Sequence, residues 1–292
     1  MRGAGVAVVG VDAVRQTWRA RMLFLKHRPA APLAELVEYL WLVCDAPAHG
    51  WERILPTGTL ELVINLKEDQ VRIYDQAGAC RRFSGMVLSG AYGRPFLIDT
   101  AEHALAMGVH FRCGGAFPFT RGTAPGELLD GHVDVRTLWG SGASALREQL
   151  CSAGSHGERF RILEHALVTA LDGRRADARV AWAASRLARG SEGVREVAAS
   201  TGLSHRHFVS VFRDALGMTP KLFARVQRFQ RALTAARKSA FVGWGALASE
   251  LGYYDQAHLI REFREFADCT PSELRAGQTH SVKDHHWALS GG

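Results

Sequence analysis

No stretch of the sequence approaches the roughly 18 consecutive apolar residues that a membrane-spanning helix needs. There is no Cys-x-x-Cys pair, and the five cysteines stand apart at 44, 80, 113, 151 and 269. An odd, scattered set argues against a disulfide framework or a thiolate zinc site and fits a reducing cytoplasm. The apolar start, Met1 to Val14, is short and contains Asp12, so it does not read as a secretory signal. Nucleophile-elbow, phosphate-loop and His-Glu-x-x-His patterns are also missing, which removes the commonest hydrolase, nucleotidase and metalloprotease signatures.

What is present is a globular composition, 47% hydrophobic and 22% charged, over 292 residues. That length suits two domains. The net charge is +7. From residue 176 onward 16 Lys and Arg face 11 Asp and Glu, so most of the excess lies in the smaller C-terminal part. Such a balance is compatible with a nucleic-acid partner.

The texture changes across the polar stretch Asp172-Gly-Arg-Arg-Ala-Asp-Ala-Arg179. The expected organisation is a loose extension over 1–25, a domain over 26–175, a second over 176–279 and a flexible tail over 280–292. Within the first, Glu61–Leu66 and Val71–Tyr74 alternate in the strand manner around Lys67–Gln70 and predict a hairpin. Ala104–Phe111 is another strand candidate. Frequent Gly and Pro breaks predict a mainly-β, barrel-like domain. Leu146, Leu150, Leu163 and Leu167 predict helices that pack on the barrel or on a second subunit. Beyond 176 only helical periods occur, at about 178–189, 194–200, 205–216, 220–237, 244–251, 256–266 and 271–277. The fold class is α+β, with the second domain all-α.

That second domain contains a repeat. Val197-Ala198, Gly202-Leu-Ser204, Phe208, Phe212 and Thr219-Pro220 return as Leu247-Ala248, Gly252-Tyr-Tyr-Asp255, Leu259, Phe263 and Thr270-Pro271. The second turn is one residue longer. Each copy is legible as a helix–turn–helix. Gly202 and Gly252 end one helix, Ser204 and Asp255 cap the next, and the apolar pairs face the core four residues apart. Thr270-x-x-Glu273 forms a capping box. Two ordinary helical hairpins would not need such matching caps and core positions in register.

Residues of about 178–277 resemble the DNA-binding domain of the AraC/XylS family of transcription regulators. The resemblance rests on Ala248-x-x-x-Gly252-Tyr253-Tyr254-Asp255-Gln256-x-His258-Leu259-Ile260-Arg261-x-Phe263-Arg264, then Thr270-Pro271, with Arg228-Phe229-x-x-Ala232 in the joining helix. Ala257, Leu259 and Asp268-Cys269 depart from the usual residues. Upstream, Trp41, Leu55-Pro56-x-Gly58-x-x-Glu61-Leu62-Val63, Phe111-x-x-Gly114-Gly115 and Leu138-Trp139-Gly140 resemble a barrel-like domain of uncharacterised ligand found in a subgroup of these regulators.

The resemblance places base-facing positions on the second helix of each unit. These are His205, Arg206, Val209 and Ser210 in the first, and Gln256, Ala257, His258 and Arg261 in the second. The helical stripe away from Phe208 and Phe212 agrees and adds Arg213. Arg suits guanine edges and Gln suits adenine, while Val209 suits a thymine methyl. His207 and His258 read equally as supports of the turn or as phosphate contacts. Lys221, Arg225 and Arg228 are phosphate-contact candidates, as is Arg231. The expected partner is double-stranded DNA. A small-molecule effector, a second copy of the chain and, for an activator, RNA polymerase are candidate partners. No cofactor and no membrane partner is expected, and the expected location is the cytoplasm.

For the first domain, Trp41, Glu61 and Asn65 are the candidate ligand-binding residues. Trp51, Tyr92, Phe117 and Phe119 line either a pocket or the core. One rival reading is a constitutive DNA-binding protein whose first domain only dimerises. Another, much weaker, is a metal-dependent cupin-like enzyme. His103 and His110 are seven apart and face opposite sides of a continuous strand. His205 and His207 do not meet on a helix, and His280, His285 and His286 fall in the tail, so the expectation is no catalytic residue and no metal.

Overall fold

The structure is a computed structural model and describes residues 23–45, 50–100, 104–238, 243–276 and 286–288. Its N-terminal part is strand-rich. The strands are β1 (Leu23–His27), β2 (Val37–Cys44), β3 (Trp51–Ile54), β4 (Glu61–Asn65), β5 (Val71–Tyr74), β6 (Cys80–Phe83), β7 (Met86–Ser89), β8 (Phe96–Asp99), β9 (Leu105–Phe111) and β10 (His132–Asp134). A last strand, β11 (His286–Ala288), comes from the far end of the chain. One sheet runs β1-β2-β9-β4-β7-β10 and the other β11-β3-β8-β5-β6, and the two are not closed into a single barrel.

Alternation explains the layering. In β4, Leu62 and Ile64 enter the main core, with Leu40 and Leu42 of β2 and Met107 and Val109 of β9. Helices α2 (Ser141–Ser152) and α3 (His156–Ala170) cover that face with Leu146, Leu150, Leu163 and Leu167, after the short α1 (Val135–Trp139). The opposite face meets the second sheet, where Val63 and Val87 pack with Val71, Ile73, Phe83 and Phe96.

Three expectations from sequence are corrected here. Both strands of the expected hairpin exist, but β4 pairs with β7 and β9 while β5 pairs with β6 and β8. The intervening turn crosses between sheets instead of folding back. Leu23–Leu25, expected in a loose extension, begin β1 and pair with β2. The expected flexible tail includes β11, which pairs with β3. The rest of the extension, the remainder of the tail and His103, His280 and His285 lie outside the described residues.

The C-terminal part is helical: α4 (Ala178–Arg189), α5 (Val194–Ser200), α6 (His205–Leu216), α7 (Pro220–Lys238), α8 (Trp244–Glu250), α9 (Gln256–Ala267) and α10 (Pro271–Ala276). Ser204 Oγ caps α6 by accepting from the His207 amide, and the Asp255 carboxylate caps α9 by accepting from the His258 amide. The expected capping box closes α10: the Thr270 amide donates to Glu273, and the Glu273 amide donates to Thr270 Oγ1. At the ends of α6 and α9 the chain turns left-handed, at Gly217 (φ 88°) and at Asp268 (φ 54°). Aspartate tolerates that conformation better than most side chains, so it can stand where the first copy has glycine.

The two parts share one apolar core. Phe111 and Phe119 belong to the same buried cluster as Phe208, Phe212, Phe223 and Phe229. The connection between α3 and α4 is fastened to the strand-rich part, with the Asp172 amide donating to the Pro118 carbonyl and Arg174 to that of Phe117.

Candidate nucleic-acid interface

In each unit the inward face of the second helix is fully apolar. Phe208 and Phe212 of α6 and Leu259 and Phe263 of α9 are completely buried. That burial fixes which side points out. On α6, His205, Arg206, His207 and Arg213 are exposed, and Val209 and Ser210 are half-buried. On α9, Gln256, Ala257 and Arg261 are exposed. The expected base-facing residues therefore stand on the outward stripe, with two qualifications.

The first concerns Arg213. It lies at the C-terminal end of α6, against the 3-10 turn Pro125–Leu128 of the strand-rich part. A Cβ at Gly126 would come within 3.0 Å of the Arg213 carbonyl oxygen and 3.1 Å of its Cγ. The free end of α6 is thus its N-terminal end. The second concerns His258, which is half-buried. Its Nδ1 accepts from the Tyr254 amide at 3.3 Å, and its Nε2 lies 3.7 Å from Glu262. These contacts set His258 against the turn, one of the readings sequence left open beside base and phosphate contact.

Arg225 and Arg228 differ from expectation. Glu262, on α9, is 1% exposed. An ionised carboxylate so buried needs cationic partners. Arg225 Nε donates to it at 2.9 Å and Arg228 Nη2 at 2.6 Å. Arg225 also forks onto Glu265, and these bonds hold its guanidinium above its ordinary pKa. Arg228 donates to the Gly252 carbonyl and lies over the Tyr253 ring, 4.4 Å from its centre. Both side chains clamp α7 to α9. Arg231 is likewise engaged, with Nη1 donating to the Ala188 carbonyl at the end of α4. Lys221, at the start of α7, is exposed.

Sequence reasoning passed over Tyr254, which is 92% exposed just before α9. Its signal was the extra residue in the second turn: Tyr253 is buried in the core, and Tyr254 stands out beside it.

In the strand-rich part, Asn65 is fully buried but engaged in the turn. Its Nδ2 donates to the Gln70 carbonyl at 2.8 Å, and its Oδ1 accepts from the Lys67 and Glu68 amides. Both functions of the amide are satisfied locally, which removes Asn65 from the ligand candidates. Trp41 is buried with Val43 and Ala106 above Gly108. Glu61 is half-buried. Register places it in a row across five strands, Tyr39, His110, Glu61, Ser89 and His132. At one end of that row the Tyr92 hydroxyl donates to the Gly131 carbonyl and accepts from His132 Nε2, so Ser89 Oγ donates to Nδ1 at 3.0 Å. Burial, and then the nearby Arg81, push the His132 pKa down to about 3. The aromatics divide: Phe119 is core, Tyr92 belongs to the His132 cluster, and Trp51 is partly exposed against Tyr74. Among the described residues no group of three or more His, Cys, Asp and Glu is placed to hold a metal ion, and no helix is long and apolar enough to cross a membrane.

Residues 197–277 match the family described as a helix-turn-helix domain. Residues 25–134 match one described as a domain of unknown function, DUF6597. An uncharacterized HTH-type transcriptional regulator of Haemophilus influenzae is 28% identical over 85 residues, 28% of this chain and 27% of that protein. The match thus spans about a quarter of the relative. Among solved structures, apo ToxT from Vibrio cholerae aligns with a TM-score of 0.45 at 10% identity, over 82% of this chain and 97% of that one. Unsaturated fatty acid bound ToxT aligns at 0.42 and 11%, over 89% and 96%. Residues 197–277 are thus a helix-turn-helix domain of the AraC type, set behind a domain of unknown function.

Proposed function

We propose that the protein is a sequence-specific DNA-binding transcription regulator in which α6 and α9 read two adjacent major grooves. The observation that carries this is the pairing of two capped helices, each buried on one face by an apolar stripe and bare at its N-terminal end, on either side of the single helix α7. Reading helices enter the major groove with their N-terminal residues toward the bases. Arg206 and Arg261 supply bidentate donors for guanine, Gln256 suits adenine, and His205, Val209, Ser210 and Ala257 complete the two faces. Lys221 and the exposed Tyr254 are placed for phosphate. Residues 176–279 form the reader, and 26–175 form a sensing unit. On the sensor's inner face Trp41 and the row around Glu61 are the handles for a small molecule.

Selection of binding sites from a randomised duplex library with the full chain tests this reading. The expected product is one bipartite, non-palindromic motif whose halves lie about one helical turn apart. Recovery of no motif, with binding that falls alike on all sequences, would sink it.

A further inference from the structure

The strand-rich region grips the end of the second reading helix from β3. We propose that Arg53 is a positioning residue for α9, through which the sensor sets how the second unit lies on its half-site. The inference rests on the reading of α6 and α9 given above.

Arg53 stands in the middle of β3, with its side chain largely buried. Its Nη1 donates to the carbonyl of Ala267, the last residue of α9, at 2.8 Å, and its Nη2 donates to Asp268 Oδ2 at 3.1 Å. The Ala267 carbonyl is one of those a helix leaves unpaired at its C-terminus, where the macrodipole also favours a cation. Two bonds from one planar guanidinium fix direction as well as distance. With twelve residues α9 is about 18 Å long, so a grip at its C-terminal end governs the tilt of the end carrying Gln256 and Ala257.

The chain just after β3 grips the helix that α9 is clamped to. Gln227 Nε2 of α7 donates to the Thr57 carbonyl at 2.7 Å, and Gln230 Nε2 donates to that of Pro56. Gly58 has φ +81°, which favours glycine, and a Cβ there would press on Gln227 Nε2 at 2.7 Å and on the Phe223 ring at 3.2 Å. The same strand also receives β11, with Trp287 opposite Arg53 and His286 Nδ1 2.7 Å from the buried carboxylate of Glu52. The segment beyond α10 therefore returns to the strand that holds α9. The matching end of α6 is held differently: Gly217 packs against Ala91 and the Pro125 carbonyl.

The test is site selection and thermal unfolding on the full chain, as wild type, Arg53→Ala, Asp268→Asn and the double variant. Asparagine keeps the left-handed turn and removes the charge. Arg53→Ala is expected to keep discrimination in the α6 half and lose about tenfold in the α9 half, as the loss of a charge-assisted hydrogen bond implies. Asp268→Asn is expected to act in the same half more weakly, and to add nothing to Arg53→Ala. If Arg53→Ala does not fold, Asp268→Asn decides: a change confined to the α9 half supports the role, and an unchanged motif overturns it. Wild-type discrimination in both halves of both single variants overturns it as well. A wild-type chain with no two-part motif would overturn the function proposed above, and this inference with it.

Discussion

In the first helix-turn-helix unit, α6 meets the strand-rich part through backbone and apolar contacts: Gly126 lies on Arg213, Ala91 on Gly217, and Gly114 near Leu216. In the second, α9 meets it through the guanidinium of Arg53. The interiors differ in the same sense. Val211 of α6 packs against the core, and its counterpart 51 residues later is Glu262, buried between two arginines. The lesson is that a duplicated unit keeps its caps and apolar stripe while its anchorage diverges. Both copies enter the shared core, Leu259, Phe263 and Phe266 as well as Phe208 and Phe212. Against the strand-rich part, the first copy makes backbone and apolar contacts and the second is held by the Arg53 guanidinium.

The largest expected effect comes from breaking the clamp at Glu262. Glu262→Ala removes the shared partner of Arg225 and Arg228, leaving them Glu265 and the Gly252 carbonyl, and should cost about 2–4 kcal/mol in denaturant unfolding. Val211→Ala, at a half-buried position against the core, should cost about 1 kcal/mol. Equal costs would erase the distinction between the units.

A second comparison uses acid. Folded His132 stays neutral down to about 3, whereas the unfolded side chain gains a proton below 6.5. Between those values the unfolded state binds more protons, so stability falls as pH drops from 6.5 toward 3 and is unchanged above 6.5. The loss should reach about 2 kcal/mol by pH 5, before most carboxylates titrate. It should vanish in His132→Gln. A wild-type stability that is flat between pH 7 and 5 would contradict this.

The smallest effects separate surface charge from clamp. Lys221→Ala should weaken binding to all sequences alike and lower the salt slope by about one. Arg225→Ala should instead lower the unfolding midpoint, because its charge is directed at Glu262 and Glu265. A reversed pattern in the two variants would place Arg225 on phosphate after all.

The helical part was legible almost residue by residue, because its signals are local. Ser204, Asp255 and Thr270-Pro271 mark helix starts, and all seven expected helices appear within a residue or two of their places. The strand-rich part was legible as strands but not as pairings. Nothing in Lys67–Gln70 tells a returning hairpin from a crossing between sheets, since that depends on Gly85 bonding to Asn65 and Asp69 from a distance. Arg225 and Arg228 were misjudged for the same reason. Their spacing on α7 matches a solvated basic face, and only the fold brings Glu262 to them. Arg53 carried no signal at all, because its partners lie more than 200 residues away. Asn65 looked like a polar group on an inward face, when its amide was closing its own turn.

The most direct test of the central claim, that α6 and α9 read separate halves of one site, is randomised-site selection with Arg206→Ala and Arg261→Ala. These side chains stand at different steps of their helices, the second residue of α6 and the sixth of α9. Each is free to donate two hydrogen bonds to a guanine edge. The account expects Arg206→Ala to relax preference in one half only and Arg261→Ala in the other, at about 1–3 kcal/mol each. If both variants keep the wild-type motif and bind every sequence less tightly, the two arginines touch phosphate, and the two-helix reading of bases is contradicted.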